Sequence, residues 1–328
     1  MDGEEHMGAA QSSDLGGFLR SRFGDCARVT RGGEDIWLYK KRYAPFRDMG
    51  ESFFIVDAYC VAANELFHQT ESVLEELNGL GIKAERYRGA DYKRLIVNSG
   101  LAYGRRRNSL AYDDEGSRFV IGAISVTARE AIDDAEAERE ASECQKQRLE
   151  TSERLTTERE TSEHAAQRLE PSELLATERG TSEDNPDRSV PEIQQALCGN
   201  CMICVGACPS KALSEKGLDP SKCLRSCMNS GGFPDEATAV ISGRRLLGCD
   251  LCQRACPLNR QEEADVPGDL MEALRADSFI GNFRRNRRLL SRYVGANYAR
   301  AGIMVKLSKQ LIRAGCFSGI REQAEEND

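Results

Sequence analysis

Apolar and polar positions follow three different patterns along this chain, and each predicts a different kind of structure. From Ser52, SFFIVDAYCV is apolar and rich in β-formers and predicts a buried strand. The spacing then changes to that of an amphipathic helix. Asn64 caps it, it runs to about Asn78, and Leu66, Phe67, Val73, Leu74 and Leu77 share one face. Gly79 and Gly81 end that helix, and KAERY predicts the next strand. Residues 91–127 read as a short helix, a glycine turn from Gly100 to Gly104, and two strands joined at Asp113 to Gly116. Upstream, residues 1–50 are weakly patterned. Met1 to Leu15 has the character of a mobile terminus, and Ile36, Trp37, Leu38 and Tyr39 read as a strand or turn. Residues 270–315 predict two or three helices, with Leu289, Leu290, Tyr293 and Val294 as an apolar stripe.

Between these regions the hydrophobic pattern disappears. QRLETSERLTTERETSE at 147–163 recurs as QRLEPSELLATERGTSE at 167–183, a period of 20 with 13 of 17 positions identical, and AEAEREASE at 135–143 is a decayed third copy. Leucines are too sparse to bury a face, so the repeat predicts a charged linker, disordered or transiently helical, rather than a repeat fold or coiled coil. Charge changes the picture only here. The chain carries −8 overall, but residues 127–190 hold 18 Asp/Glu against 9 Lys/Arg, so the remainder is close to neutral. The acidity therefore says little about partners of the folded part. Locally the balance reverses: Phe283 to Arg313 contains nine Arg/Lys and no acid, with Arg284, Arg285, Arg287, Arg288 and Arg292 on one helix. Such a helix binds RNA phosphates or forms a solvated face.

The chemistry is concentrated in the cysteines. Nine of thirteen fall between Cys198 and Cys256. Cys198, Cys201, Cys204 and Cys208 are spaced C-x2-C-x2-C-x3-C-P, and Cys249, Cys252 and Cys256 are spaced C-x2-C-x3-C-P. Bacterial ferredoxins hold [4Fe–4S] clusters with the first spacing, and the cysteine before proline ligates the other cluster. Two clusters take eight thiolates, and these runs supply seven. A complete second run would have a cysteine at position 246, which is Leu246, so the eighth comes from Cys223 or Cys227. Structural zinc wants well-separated pairs giving four ligands, which triplets followed by C-P do not provide. Disulfides suit secreted chains, and MDGEEHMG has no apolar leader core. Without a run of 18 apolar residues, the expectation is a cytoplasmic protein with no membrane span. Cys60, Cys144, His68 and His164 read as inert positions.

The segments CGNCMICVGACPSKAL, LDPSKCLR and GRRLLGCDLCQRACPLNR resemble the dicluster ferredoxin domain of epoxyqueuosine reductases and their relatives. SGLAYGRRRNSLAYDDEGSRFVIGAISVT is similar to the glycine-loop segment of that family's corrinoid-binding domain, and GANYARAGIMVKLSKQLIRAG to its HEAT-like helical end. The resemblance covers somewhat over half the chain. It implies Cys223, not Cys227, as the eighth ligand. The sets are then Cys198, Cys201, Cys204 and Cys256 for cluster 1, and Cys208, Cys223, Cys249 and Cys252 for cluster 2. It also implies that the loop with Gly100, Gly104 and Asn108 faces a corrinoid. Electrons would pass singly from a ferredoxin- or flavodoxin-type donor through the clusters to cobalamin, with tRNA as substrate. The position of the family's catalytic aspartate is Arg86 here, and Asp91 is out of register, so the catalytic residues stay unassigned. The short amino-terminal part and the inserted repeats mark a divergent member.

The expected architecture is α+β. It comprises a weakly patterned terminus (1–50), an α/β domain of reduced corrinoid-binding type (51–126), the repeat linker (127–190), a ferredoxin-like dicluster domain (191–262) and a helical, HEAT-like tail (263–328). The expected function is an iron–sulfur oxidoreductase. The competing readings are a ferredoxin-like electron carrier without substrate chemistry and, more remotely, an RNA-binding protein with structural clusters.

Overall fold

Two glycines in the left-handed region, Gly32 (φ +61°) and Gly33 (φ +82°), turn the chain tightly enough to lay β1 (Cys26–Arg31) directly against β2 (Glu34–Arg42), with Arg31 opposite Glu34. The computed structural model describes residues 15–89, 91–127, 198–259, 262–299 and 301–317. The acidic repeats, Cys144 and His164 lie outside the described residues. All described residues belong to one compact unit, made of Met1–Thr127 with Ser189–Asp328.

The first half runs α1 (Leu15–Phe23), β1, β2, β3 (Ile55–Val56), α2 (Ala58–Gly79), β4 (Ala84–Arg86), α3 (Tyr92–Asn98), β5 (Gly104–Arg105), β6 (Ala111–Tyr112) and β7 (Phe119–Thr127). Its sheet has the order β1-β2-β7-β4 and is antiparallel throughout. The weakly patterned stretch around Ile36–Tyr39 is therefore one of its two inner strands. Strand alternation divides the sheet's two faces. Tyr39, Val120, Ile124 and Val126 pack with α1 and α2, while Ile36, Leu38, Phe119 and Ala123 pack with Leu95 and Ile96 of α3.

The strand expected over SFFIVDAYCV is cut short by a helix. Only Ile55 and Val56 are extended, and α2 begins at Ala58. Asp57 decides this: its carboxylate accepts the Tyr59 N–H at 2.9 Å, the bond that caps a helix start, and this overrides the β propensity of the residues after it. Asn64, expected as the cap, is buried mid-helix and donates to the Arg292 carbonyl at 2.7 Å. Phe67 is 36% exposed, under the Arg86 guanidinium, and not in the core.

The second half runs α4 (Ile203–Gly206), β8 (Leu213–Ser214), β9 (Gly217–Leu218), α5 (Leu224–Asn229), α6 (Glu236–Ser242), β10 (Arg245–Leu247), α7 (Leu251–Arg254), α8 (Gly268–Ala273), α9 (Phe279–Val294) and α10 (Ala301–Arg313). β10 pairs in parallel with β3 and ties the halves together. Around that junction lies the largest core. Phe54 meets Phe279 and Phe317 edge-on at 5.0 and 4.6 Å, with Leu246, Leu247, Leu290, Leu307 and Leu311 around them. Leu246 is fully buried there, so the position where a complete cysteine run would continue does packing instead. Among the described residues no helix is long and apolar enough to cross a membrane.

Gly122 on β7 is required by its neighbour. A Cβ there would lie 2.1 Å from Tyr39 Cε2. The Tyr39 ring cannot yield, because it is fully buried, stacked on Phe23 at 3.7 Å and hydrogen-bonded to Thr70 at 2.7 Å. Gly122→Ala should therefore destabilise the protein by roughly 1–3 kcal/mol, although alanine normally improves a strand interior. Denaturant unfolding checks this, and an unchanged or higher midpoint would show that the ring moves.

Candidate functional site: two groups of buried thiols

The two cysteine runs adopt the same local structure. In each, a four-residue helix (α4 or α7) follows one cysteine and contains the next, and then the chain turns out. Ala207 N–H bonds Ile203 O at 2.9 Å and Cys208 N–H bonds Val205 O at 3.2 Å. In the second run Ala255 N–H bonds Leu251 O at 3.0 Å and Cys256 N–H bonds Gln253 O at 3.2 Å. Pro209 and Pro257, which lack an N–H, forbid another helical turn. The last cysteine of each run is thus directed away from its own triplet by the same pair of bonds. α4 and α7 pack on each other, which brings each last cysteine to the opposite run.

The thiols' mutual influence shows which are neighbours. Burial raises Cys204 most, and Cys198, Cys256 and Cys201 raise it further. Burial pushes Cys252 up to about 12, aided by Cys249, Cys204, Cys223 and Cys208. Cys249 is pushed up to about 11, again by burial. Cys223 stands at the start of α5 in extended conformation and makes no capping bond with its side chain. It lines a cavity of about 330 Å3 together with Cys208, Cys249 and Cys252. Cys227, one turn along α5, is buried with Leu224 and Met228 in the large core. Among the described residues no three His, Cys, Asp or Glu side chains close on a single ion; the thiols stand in wider groups. Eight soft thiol donors, half-buried and mutually close, have the chemistry that iron–sulfur clusters require, and such ligands lose their protons on binding metal.

The amino-terminal half reaches these thiols through the β5–β6 hairpin, whose loop is closed by Arg106 N–H to Leu110 O at 2.9 Å and by Ser109 in the left-handed region (φ +61°). Arg106 Nη1 donates to Cys256 Sγ at 3.1 Å. Arg107 donates to the carbonyls of Glu215 and Gly199, both at 2.8 Å. Asn108 Nδ2 lies 4.0 Å from Cys252 Sγ. Arg106 and Arg107 are therefore neither solvated nor free for phosphate. Of the three loop residues singled out in the sequence, Asn108 is brought to the thiols. Gly104 packs near the Tyr112 ring, and Gly100 occupies a left-handed turn (φ +80°) after α3. Sequence reasoning missed Arg106, because an arginine run gives no sign of which member turns inward.

It also missed Asp57. This carboxyl is fully buried beside the second thiol group and pushed up to about 7, by burial first and by Asp250 second. Gly248 (φ +84°), just before Cys249, leaves room for it; a Cβ there would fall 2.4 Å from Asp57 Cβ and 3.0 Å from Cys60 Sγ. A second cavity, of about 640 Å3, spreads under the sheet and is lined by Tyr39, Tyr87, Tyr92, Phe119 and Arg86. Both cavities share Tyr59, Lys93, Leu110 and Arg225 in their walls, and the Arg225 guanidinium sits 3.8 Å above the Tyr59 ring. No Asp or Glu is among the described residues lining the larger cavity. Asp91, the acid singled out in the sequence, is partly exposed and lies outside this lining. Arg94, Tyr87 and Arg31 hold it at about 2.

The two candidates for eighth ligand make different predictions. After anaerobic reconstitution, Cys223→Ser should lose one cluster, falling from about eight irons per chain toward four, whereas Cys227→Ser should keep about eight. Iron and sulfide analysis decides; the reverse pattern would reassign the ligand to α5's buried face.

Residues 197–259 match the 4Fe-4S double cluster binding domain. The epoxyqueuosine reductase of Aliivibrio fischeri is 39% identical over 75 residues, 22% of this chain and 20% of its own length. That of Bacillus subtilis is 44% identical over 69 residues, 20% of this chain and 18% of its own. The match spans about a third or less of the length of the curated relatives. In fold the likeness is wider. An epoxyqueuosine reductase solved with a tRNA-Tyr epoxyqueuosine-modified stem loop superposes with a TM-score of 0.55 at 13% identity, covering 88% of this chain and 67% of that one. Residues 197–259 thus carry the sequence of a 4Fe-4S double cluster binding domain, and the described fold is similar to that of the solved epoxyqueuosine reductases.

Proposed function

We propose that this protein is an iron–sulfur oxidoreductase that carries electrons singly from an external donor of ferredoxin or flavodoxin type, through two [4Fe–4S] clusters, to an acceptor in the cavity under the sheet. Cluster 1 is held by Cys198, Cys201, Cys204 and Cys256, and cluster 2 by Cys208, Cys223, Cys249 and Cys252. One observation carries the reading: the wall formed by Tyr59, Lys93, Leu110 and Arg225 belongs both to the cavity of the second thiol group and to the larger cavity beyond it. A redox centre separated from a ligand cavity by a single layer of side chains has little to do unless it serves what binds there.

Cobalamin is the acceptor that the resemblance suggests. The larger cavity suits a broad organic cofactor: it is aromatic, wide and within the volume range of ligand sites. A bound corrinoid would supply the metal-centred reducing chemistry that no side chain possesses. The chain's own residues would shape the cavity and hold the electron source beside it. Arg86 stands at its lining where the family has an aspartate, so this reading covers electron delivery and assigns no carboxylate to proton transfer.

Anaerobically reconstituted full-length protein should bind cobalamin at micromolar concentration, with a corrin absorption added to that of the clusters, and should reduce it when the clusters are reduced first. Cluster-loaded protein that takes up no cobalamin under these conditions would favour the alternative, a carrier that hands its electrons to a partner protein.

tRNA is the proposed substrate-bearing partner, and α9 the face that meets it. Arg284, Arg285, Arg287 and Arg288 are exposed and form no ion pair among the described residues, while Phe279, Phe283, Leu290 and Val294 anchor the helix beneath them. Replacing Arg284 and Arg288 by alanine should weaken tRNA stem-loop binding and flatten its salt dependence by about one unit of slope for each phosphate no longer neutralised. A gel-shift or fluorescence titration at several salt concentrations measures this, and unchanged affinity and slope would remove α9 from the interface.

A further inference from the structure

A single loop touches both thiol groups, and it touches them with different charges. Arg106 is 5% exposed; its Nη1 donates to Cys256 Sγ at 3.1 Å and to Asn259 Oδ1 at 3.2 Å, and its guanidinium lies 4.9 Å from the Tyr112 ring centroid. The next residue, Arg107, is tied to the backbone at Gly199 and Glu215, and its charge favours the thiolate of Cys204. Two cations therefore flank the group of Cys198, Cys201, Cys204 and Cys256. At the other group the same loop offers only the neutral amide of Asn108, 4.0 Å from Cys252 Sγ. The carboxyls of Asp57 and Asp250 lie on that side as well; at Cys249 the Arg245 charge favours the thiolate and the Asp57 charge opposes it, so the two offset there.

Reduction adds one electron to a cluster and so one negative charge, with no bond made or broken at the protein. A permanent cation hydrogen-bonded to a ligand sulfur in a buried site stabilises the more negative state. Hydrogen bonds to sulfur, nearby charge and solvent exposure are the means by which a protein sets such a potential.

We propose that Arg106 is the residue that sets the reduction potential of the cluster ligated by Cys256, raising it selectively while the second cluster, which this loop meets only through the neutral Asn108, is left lower. The β5–β6 loop thus makes two clusters in near-identical cysteine frames electrically unequal, and gives the electron pathway an internal gradient. This rests on the ligand sets proposed above.

The experiment is a redox titration of the reconstituted full-length protein, followed by electron paramagnetic resonance. Iron analysis comes first and tests the ligand sets by themselves. The cluster of interest is identified as the one whose signal Cys256→Ser alters. Arg106→Gln, which keeps a donor but removes the charge, should keep about eight irons and shift that cluster's potential downward, with the other unmoved. If Arg106→Gln does not hold both clusters, Arg106→Lys decides. It keeps the charge on a stem without the planar fork, and should give a smaller downward shift of the same cluster. Full iron content with both potentials at their wild-type values would overturn the proposal, as would an equal shift of both clusters. A residue that merely held the loop in place would alter iron content or thermal stability without separating the two potentials.

Discussion

The constraint on which the rest of this structure depends is that eight thiols must be gathered partly out of water from three short pieces of chain. Burial alone opposes the thiolate form, and it pushes the thiols of Cys204, Cys249 and Cys252 upward. Metal binding reverses that preference, but it also leaves concentrated negative charge inside the protein. Counter-charge and hydrogen-bond donors must then come from elsewhere. Here they come from the amino-terminal half: Arg106 at Cys256, Arg107 at the first run's backbone, and Asn108 near Cys252. The β3–β10 pairing and the Gln253–Tyr43 and Asn259–Ser117 bonds fix the hairpin against the cysteine block. The two halves are coupled by electrostatic need as well as by packing.

That coupling explains several features that would otherwise look incidental. Gly116 must be glycine because a Cβ would strike Asn259 Oδ1 at 2.4 Å, and Asn259 is the residue that shares Arg106 with Cys256. Gly248 must be glycine because Asp57 and Cys60 crowd the backbone just before Cys249. The interface between the halves thus reaches the thiols by direct contact on both sides. A substitution there would be felt at the cysteines before it was felt in either hydrophobic core.

What the sequence disclosed and what it hid follow from the range of the interactions involved. Cysteine spacing is local, so the two runs were legible in the sequence, while the helical turn before each C-P is a finding of the structure. Leu246 was legible as a gap in the second run, and its complete burial in the large core gives the reason. Between Cys223 and Cys227 spacing alone gave no choice, because both lie on α5 within a turn of each other; what separates them is which side of α5 meets the large core. The strand expected from Ser52 failed for a nearby reason, since a single aspartate cap outweighed a run of β-formers. Arg106 was hidden because its role depends on a contact 150 residues away in sequence, and nothing in GRRRN distinguishes the middle arginine from its neighbours.

The larger cavity carries the strongest sign of divergence. Its lining is aromatic and cationic and, among described residues, free of carboxylates; Arg86 rests over Phe67 at 4.5 Å. A cationic side chain cannot supply a proton as a carboxylic acid does, because a guanidinium does not release one at any pH the fold survives. It favours negative charge at the cavity instead. Electron delivery depends on the cysteine block and the loop that tunes it, and those parts are intact. Proton delivery depends on an acid, and none lines this cavity among the described residues: Asp91 is held by Arg31, Arg94 and Tyr87, and Glu71 stands 4.0 Å from Arg86 in an exposed ion pair. On the proposed reading, the electron-carrying half of a reductase is gathered in the cysteine block, while the wall of the larger cavity offers cations and, among the described residues, no acid. A chain so divided would reduce a ligand that brings its own proton or needs none, which narrows the chemistry of whatever occupies the cavity.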